Sequence, residues 1–201
     1  MQTRLNPQWA AYVNQAAGFR LHAAENGPGA STVDAADYVM GVSFKVTASL
    51  GLNGFWWWVA DTAQSAGPQD FALWASGGPS SGTFVTGSKI TSGALAPGWN
   101  YVPYGTPVAL TSGQEYRAVT HTLGASSGKN GYSATAHYWD TGPGIAGIIS
   151  GPLLGYSAPG NTNGEPSTDG QMVFAVASDV TATYPHDQFN SANYWLDVQV
   201  S

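Results

Sequence analysis

The chain has 201 residues, no cysteine, and a net charge of −6 from 12 acidic and 6 basic side chains. The missing cysteines exclude disulfides, thiolate chemistry and cysteine-based zinc sites. Arg4, Arg20, Lys45, Lys89, Arg117 and Lys129 are scattered, which argues against the clustered cationic face that nucleic acid or an anionic membrane requires. Charged residues make up only 9%, against about 25% in ordinary soluble domains. The polar surface is therefore built from Ser, Thr, Asn, Gln and Gly, and it suits self-packing, external display or contact with sugars.

The chain opens Met1-Gln2-Thr3-Arg4-Leu5-Asn6-Pro7, without the apolar core of a secretory leader. This sets the expectation of a protein used without Sec export, as virus structural proteins are, or of one whose leader has been removed. No stretch approaches the ~20 apolar residues of a membrane span, so no membrane insertion is expected. Asn6 can cap a helix, Pro7 suits its first position and Gly18 can end it. Between them Trp9, Tyr12, Val13 and Ala16 share one apolar stripe. That stripe either packs on its own domain or docks, as a helical or extended arm, onto another chain. Glu25-Asn26-Gly27-Pro28-Gly29 then reads as a loop or linker.

From Tyr38 the period changes to two. Tyr38, Met40, Val42, Phe44 and Val46 alternate with smaller or polar residues, which predicts a half-buried strand. Further strands are predicted at 54–60, 71–75, 83–91, 99–103, 107–110, 115–123, 132–138, 171–177 and 193–200. Gly, Pro, Ser and Asn turns separate them, the pattern of a sandwich or barrel. Residues 140–170 read as a long loop with an apolar middle of Ile145, Ile148, Ile149, Leu153 and Leu154. Such a middle folds over the sandwich edge or meets a partner. Asn161, Asn163, Glu165 and Asp169 are oxygen donors in that loop, but they fit no calcium-loop spacing and read as turn chemistry.

The aromatic load is heavy, with 8 Trp and 10 Tyr. In a strand, Phe55 and Trp57 point to one face and Trp56 and Trp58 to the other. One pair forms core. The other needs cover from the N-terminal segment, the long loop, a neighbouring subunit or a ligand. Trp56, Trp58, Trp99 and Trp139 are the candidate glycan-binding or interface aromatics, because exposed rings stack on sugars while nearby amides bind hydroxyls. His22, His121, His137 and His186 fall in no catalytic spacing, and the chain has neither a Gly-x-Ser-x-Gly turn nor a His-Glu-x-x-His helix. No catalytic residue, metal ligand or cofactor is therefore assigned.

From about Asp37 to Val200 the chain resembles the bacterial surface domain known as domain of unknown function 4082. The likeness runs in order through Gly41-Val42-Ser43-Phe44, Gly54-Phe55-Trp56-Trp57, Phe71-Ala72-Leu73-Trp74, Gly98-Trp99-Asn100-Tyr101-Val102 and Asn130-Gly131-Tyr132. It is strongest from Tyr184-Pro185 to Asn193-Tyr194-Trp195-Leu196-Asp197-Val198. The resemblance implies a jelly-roll-like sandwich of the kind attached to extracellular carbohydrate-active or adhesive proteins, with relatives on bacteriophage particles. It carries no catalytic residues.

These readings combine into an all-β, antiparallel, jelly-roll-like β-sandwich over 37–201, preceded by an arm over 1–36. The expected function is non-enzymatic. The leading form is a bacteriophage virion surface component, a head-decoration or minor tail protein, whose arm contacts other virion proteins or copies of itself through Trp9, Tyr12 and Val13. The alternative is a secreted or surface-attached carbohydrate-binding module. The two are compatible, since a virion domain of this kind can hold a particle to host-surface glycans.

Overall fold

Alternation over Tyr38–Val46 forms β1, with Met40, Val42, Phe44 and Val46 all directed into the main core. The computed structural model describes residues 18–64, 68–78, 80–123, 131–139, 141–142, 147–155, 172–187 and 189–201. The remaining strands are β2 (Leu50–Val59), β3 (Asp70–Gly78), β4 (Ser81–Phe84), β5 (Ile90–Thr91) and β6 (Gly98–Leu110). They continue with β7 (Glu115–Thr122), β8 (Ile148–Ser150), β9 (Leu153–Gly155), β10 (Met172–Val176) and β11 (Leu196–Val200). No helix occurs among the described residues. The predicted helix after Pro7, the stripe of Trp9, Tyr12 and Val13, and the oxygen donors at 161–169 lie outside them.

The strands form two antiparallel sheets, as a sandwich requires. The larger runs β4-β3-β7-β1-β9-β8, with β10 also on β1 and β5 on β3. One edge of β1 is shared in succession, since β10 pairs Tyr38–Val42 and β9 pairs Lys45 and Val46. The smaller sheet is β11-β2-β6. Phe55, Trp57 and Val59 of β2 and Leu196, Val198 and Val200 of β11 meet the inward side chains of the larger sheet in one core. Phe55 stacks on Phe71 across it at 5.5 Å.

Four expectations are corrected. The strand predicted at 83–91 is two, β4 and β5, divided by a turn at Thr86 and Gly87, where Gly87 takes φ +81°. The strands predicted at 99–103 and 107–110 are one, β6, whose register slips where Leu52 faces Val108 but Gly54 faces Pro103. Residues 132–138 form isolated bridges, Thr32–Tyr132 and Thr135–Asn193, followed by a turn. Part of the expected long loop is the β8–β9 hairpin, which buries Leu153 and folds onto the edge of β1.

β1 is also buried on both faces rather than one. The outer face of the larger sheet carries a second core of Val39, Ala72, Trp74 and Val119, closed by Val180 and Tyr184 from the segment after β10. Polar ties hold that segment. Trp74 Nε1 donates to the Val180 carbonyl at 2.9 Å. The Arg117 guanidinium lies 4.2 Å over the Tyr184 ring and donates to the Pro185 carbonyl. Lys89 bridges Asp70 at 3.2 Å and Asp179 at 2.8 Å, and this ammonium, with Thr181, holds the Asp179 carboxyl well below the usual range.

The close approach of the β7 backbone leaves β1 no room at Gly41. A Cβ there would sit 1.8 Å from the Ala118 carbonyl oxygen of β7. Gly41→Ala is expected to force the strands apart and cost about 3 kcal/mol or more, read as a lower urea midpoint in chemical denaturation.

Candidate functional site

The alternation of β2 turns Trp56 and Trp58 away from the core, and the register brings them opposite Tyr101 and Trp99 of β6 and, on the other side, Trp56 opposite Asp197 of β11. The outer face of the smaller sheet is therefore aromatic, with one carboxylate in it. Of the covers open to it, the chain uses its own N-terminal segment. Phe19 pairs with Val200 through two backbone hydrogen bonds of 2.9 and 3.1 Å, extending the free edge of β11. The chain then crosses the face as a strap.

Asp197 fixes this strap. Its carboxylate has no exposed surface and accepts from Leu21 N at 2.9 Å, His22 N at 2.8 Å and Arg20 Nε at 3.2 Å. The Arg20 guanidinium lies 4.0 Å over the Trp56 ring and 4.8 Å over the Trp99 ring. Further along, Trp99 Nε1 donates to the Glu25 carbonyl at 2.7 Å and Trp58 Nε1 to the Pro28 carbonyl at 2.8 Å. Gly27 lies against Trp58 so closely that a Cβ would be 2.4 Å from the ring. His22 is enclosed by Tyr138, Trp139 and Trp195, with ring centroids 5.7, 5.8 and 5.7 Å away. Neither of its ring nitrogens is hydrogen-bonded among the described residues, and the Glu25 carboxylate lies 4.0 Å from Nδ1.

The four aromatics singled out in the sequence thus gather around one feature. Trp56, Trp58 and Trp99 lie under the strap, and Trp139 is fully buried against His22. Every described tryptophan is buried or half-buried, so none offers a bare ring face as a sugar platform. The histidine–acid neighbours His186 and Asp187 make only a surface pair at 4.0 Å. No group of three or more metal-ligating side chains occurs among the described residues.

A different site opens at the start of β1. A cleft of about 380 Å³ forms there, with Tyr38, Met40, Phe174, Tyr132, Tyr194 and Phe189 in its lining and Thr32 and Asp34 as its polar members. Its size is that of small-ligand pockets. Tyr38 meets Phe174 edge to face at 5.7 Å and 78°, and Tyr132 meets Tyr194 at 5.7 Å and 84°. Tyr132 donates to Asp34 Oδ2 at 2.6 Å. Burial, then the Asp34 carboxylate, push the Tyr132 and Tyr194 hydroxyls far above their ordinary range, so both remain protonated donors. Phe189 is 61% exposed at the rim. Sequence reasoning missed this site. Its one available signal is the tyrosine at the inward end of β1, where an apolar residue would suffice for packing.

Comparison with known proteins assigns no chemistry. No curated protein and no solved structure matches the chain. Residues 24–196 match the family described as Domain of unknown function (DUF4082), and the chain belongs to that family. The match begins within the strap, earlier than the resemblance from Asp37, because Glu25 to Pro28 are part of the folded body.

Two outcomes follow from the strap. Asp197→Ala strands the backbone donors of Leu21, His22 and Val198 and the Arg20 guanidinium, which is expected to cost about 3–5 kcal/mol and to shift tryptophan emission to the red as Trp56 and Trp99 become wet. Burial, the dominant cause, lowers the His22 pKa below 6.5 despite the opposing carboxylates of Asp197 and Glu25. The unfolded chain then takes up this proton first, so stability falls as pH drops below about 6.5. His22→Phe is expected to flatten that part of the stability–pH curve.

Proposed function

We propose that this member of the DUF4082 family is a non-enzymatic structural and binding protein, a displayed β-sandwich anchored through the residues that precede its strap. The setting that fits best is the surface of a virion, with copies of the chain or other virion proteins as partners. The observation that carries the reading is the closure of the body at Phe19. The strap from Phe19 to Pro28 covers the aromatic face of the smaller sheet and bonds to β11, so that face is occupied within the chain. The apolar stripe of Trp9, Tyr12 and Val13 precedes this closure and is the segment assigned to partners. The low share of charge, 9%, supports a surface that packs against others with little repulsion. A carbohydrate-binding module built on Trp56, Trp58 and Trp99 has weaker support, because these rings are covered by the strap.

The test compares solution mass by light scattering for the full chain and two truncations. Removal of residues 1–17 is expected to convert an oligomer into a folded monomer. Removal of residues 1–36 takes away the strap and is expected to give an aggregating chain with red-shifted tryptophan emission. A full-length chain that is monomeric up to about 100 µM, a concentration far above that of an interface of standard size, would overturn self-assembly through the arm.

A further inference from the structure

We propose that the cleft at the start of β1 binds an organic cation, an ammonium group on an alkyl chain. Three observations carry this, and none depends on the arm. The first is charge. Asp34 places a carboxylate in a lining that is aromatic apart from Thr32 and Met40, and among the described residues Tyr132 donates to only one of its oxygens and no Lys, Arg or His lines the cleft. The chain as a whole carries −6, which draws cations toward it.

The second observation is shape. Tyr38 with Phe174, and Tyr132 with Tyr194, meet at 78° and 84°. Rings at right angles make corners, and a corner fits a compact, rounded group better than the flat face of a sugar. Ring faces and a carboxylate together are the chemistry that holds ammonium ions. The third is exposure. Phe189 is 61% exposed at the rim, where a ring in water gains by covering a ligand's alkyl portion. The cleft is larger than a bare ammonium group needs, which leaves room for that chain.

Met40 lines the cleft and is one of only 3 methionines, so its methyl carbon is a built-in reporter. The full chain, labelled at methionine methyls, is titrated by NMR with choline, with a blocked lysine that keeps its side-chain ammonium, and with dimethylbutanol, the neutral carbon isostere of choline. Met40→Leu assigns the resonance. A saturable Met40 shift with choline or the lysine, and at least about tenfold weaker binding of dimethylbutanol, is expected. The preferred cation then separates a free amine from a protein side chain as the source. Asp34→Asn is expected to weaken cation binding about tenfold, while Tyr38→Phe, which keeps the ring, changes it by less than about twofold.

If Asp34→Asn does not fold, added salt on the unaltered protein replaces it, because screening weakens choline binding and leaves dimethylbutanol binding unchanged. Equal binding of choline and dimethylbutanol, or no shift with either cation, overturns the proposal. So does a shift produced by a glucose oligosaccharide that Tyr38→Phe abolishes and Asp34→Asn leaves intact, since that pattern marks hydroxyl recognition.

Discussion

A carboxylate removed from water must be met by donors, and Asp197 is met by the backbone of a segment some 175 positions earlier in the chain. This one constraint organises the smaller sheet. With only β11, β2 and β6, that sheet has a broad outer face, and the alternation that fills the core with Phe55 and Trp57 also puts Trp56 and Trp58 outside. Asp197 recruits the strap that covers them. The same strap carries Arg20 onto two indole rings and His22 into a ring of aromatics. A neutral imidazole suits that enclosure, and its low proton affinity follows from it.

The larger sheet solves the same problem differently. Its outer face is covered by the segment after β10, with Tyr184 and Val180 over Val39, Ala72, Trp74 and Val119. Few cations are available, and three of the four described are used as ties between distant segments. Arg20 joins the strap to β11, Lys89 joins β3 to the segment after β10, and Arg117 holds Tyr184 and Pro185. The two described arginines also pack where they bond, each with its guanidinium over an aromatic ring.

Where side chains follow one period and one partner, the sequence was legible. The limits of β1 match its alternation, and the opposed faces of Phe55–Trp58 are as the period of two requires. Short elements were hidden. Ile148–Ser150 and Leu153–Gly155 are each too brief to display a period, and Gly151-Pro152 between them reads equally well as loop. The double burial of β1 was hidden because small and polar residues such as Gly41 and Ser43 are buried by close backbone approach and not by hydrophobicity. The cleft was hidden for a different reason. Asp34, Tyr132, Phe174 and Tyr194 come from four separate stretches, and only the strand order brings them together.

The pairing of Phe19 with Val200 also has a mechanical meaning. The described chain enters and leaves the body at one edge, where the antiparallel bridge of Phe19 to Val200 lies beside β11. Tension applied between those two points would load the hydrogen bonds one after another, as a zipper is opened, and the strap would peel first. Tension applied through the entry point alone loads no such line across the body. A sandwich connected in this way is suited to hang from a single tether and ill suited to serve as a link in a stretched chain.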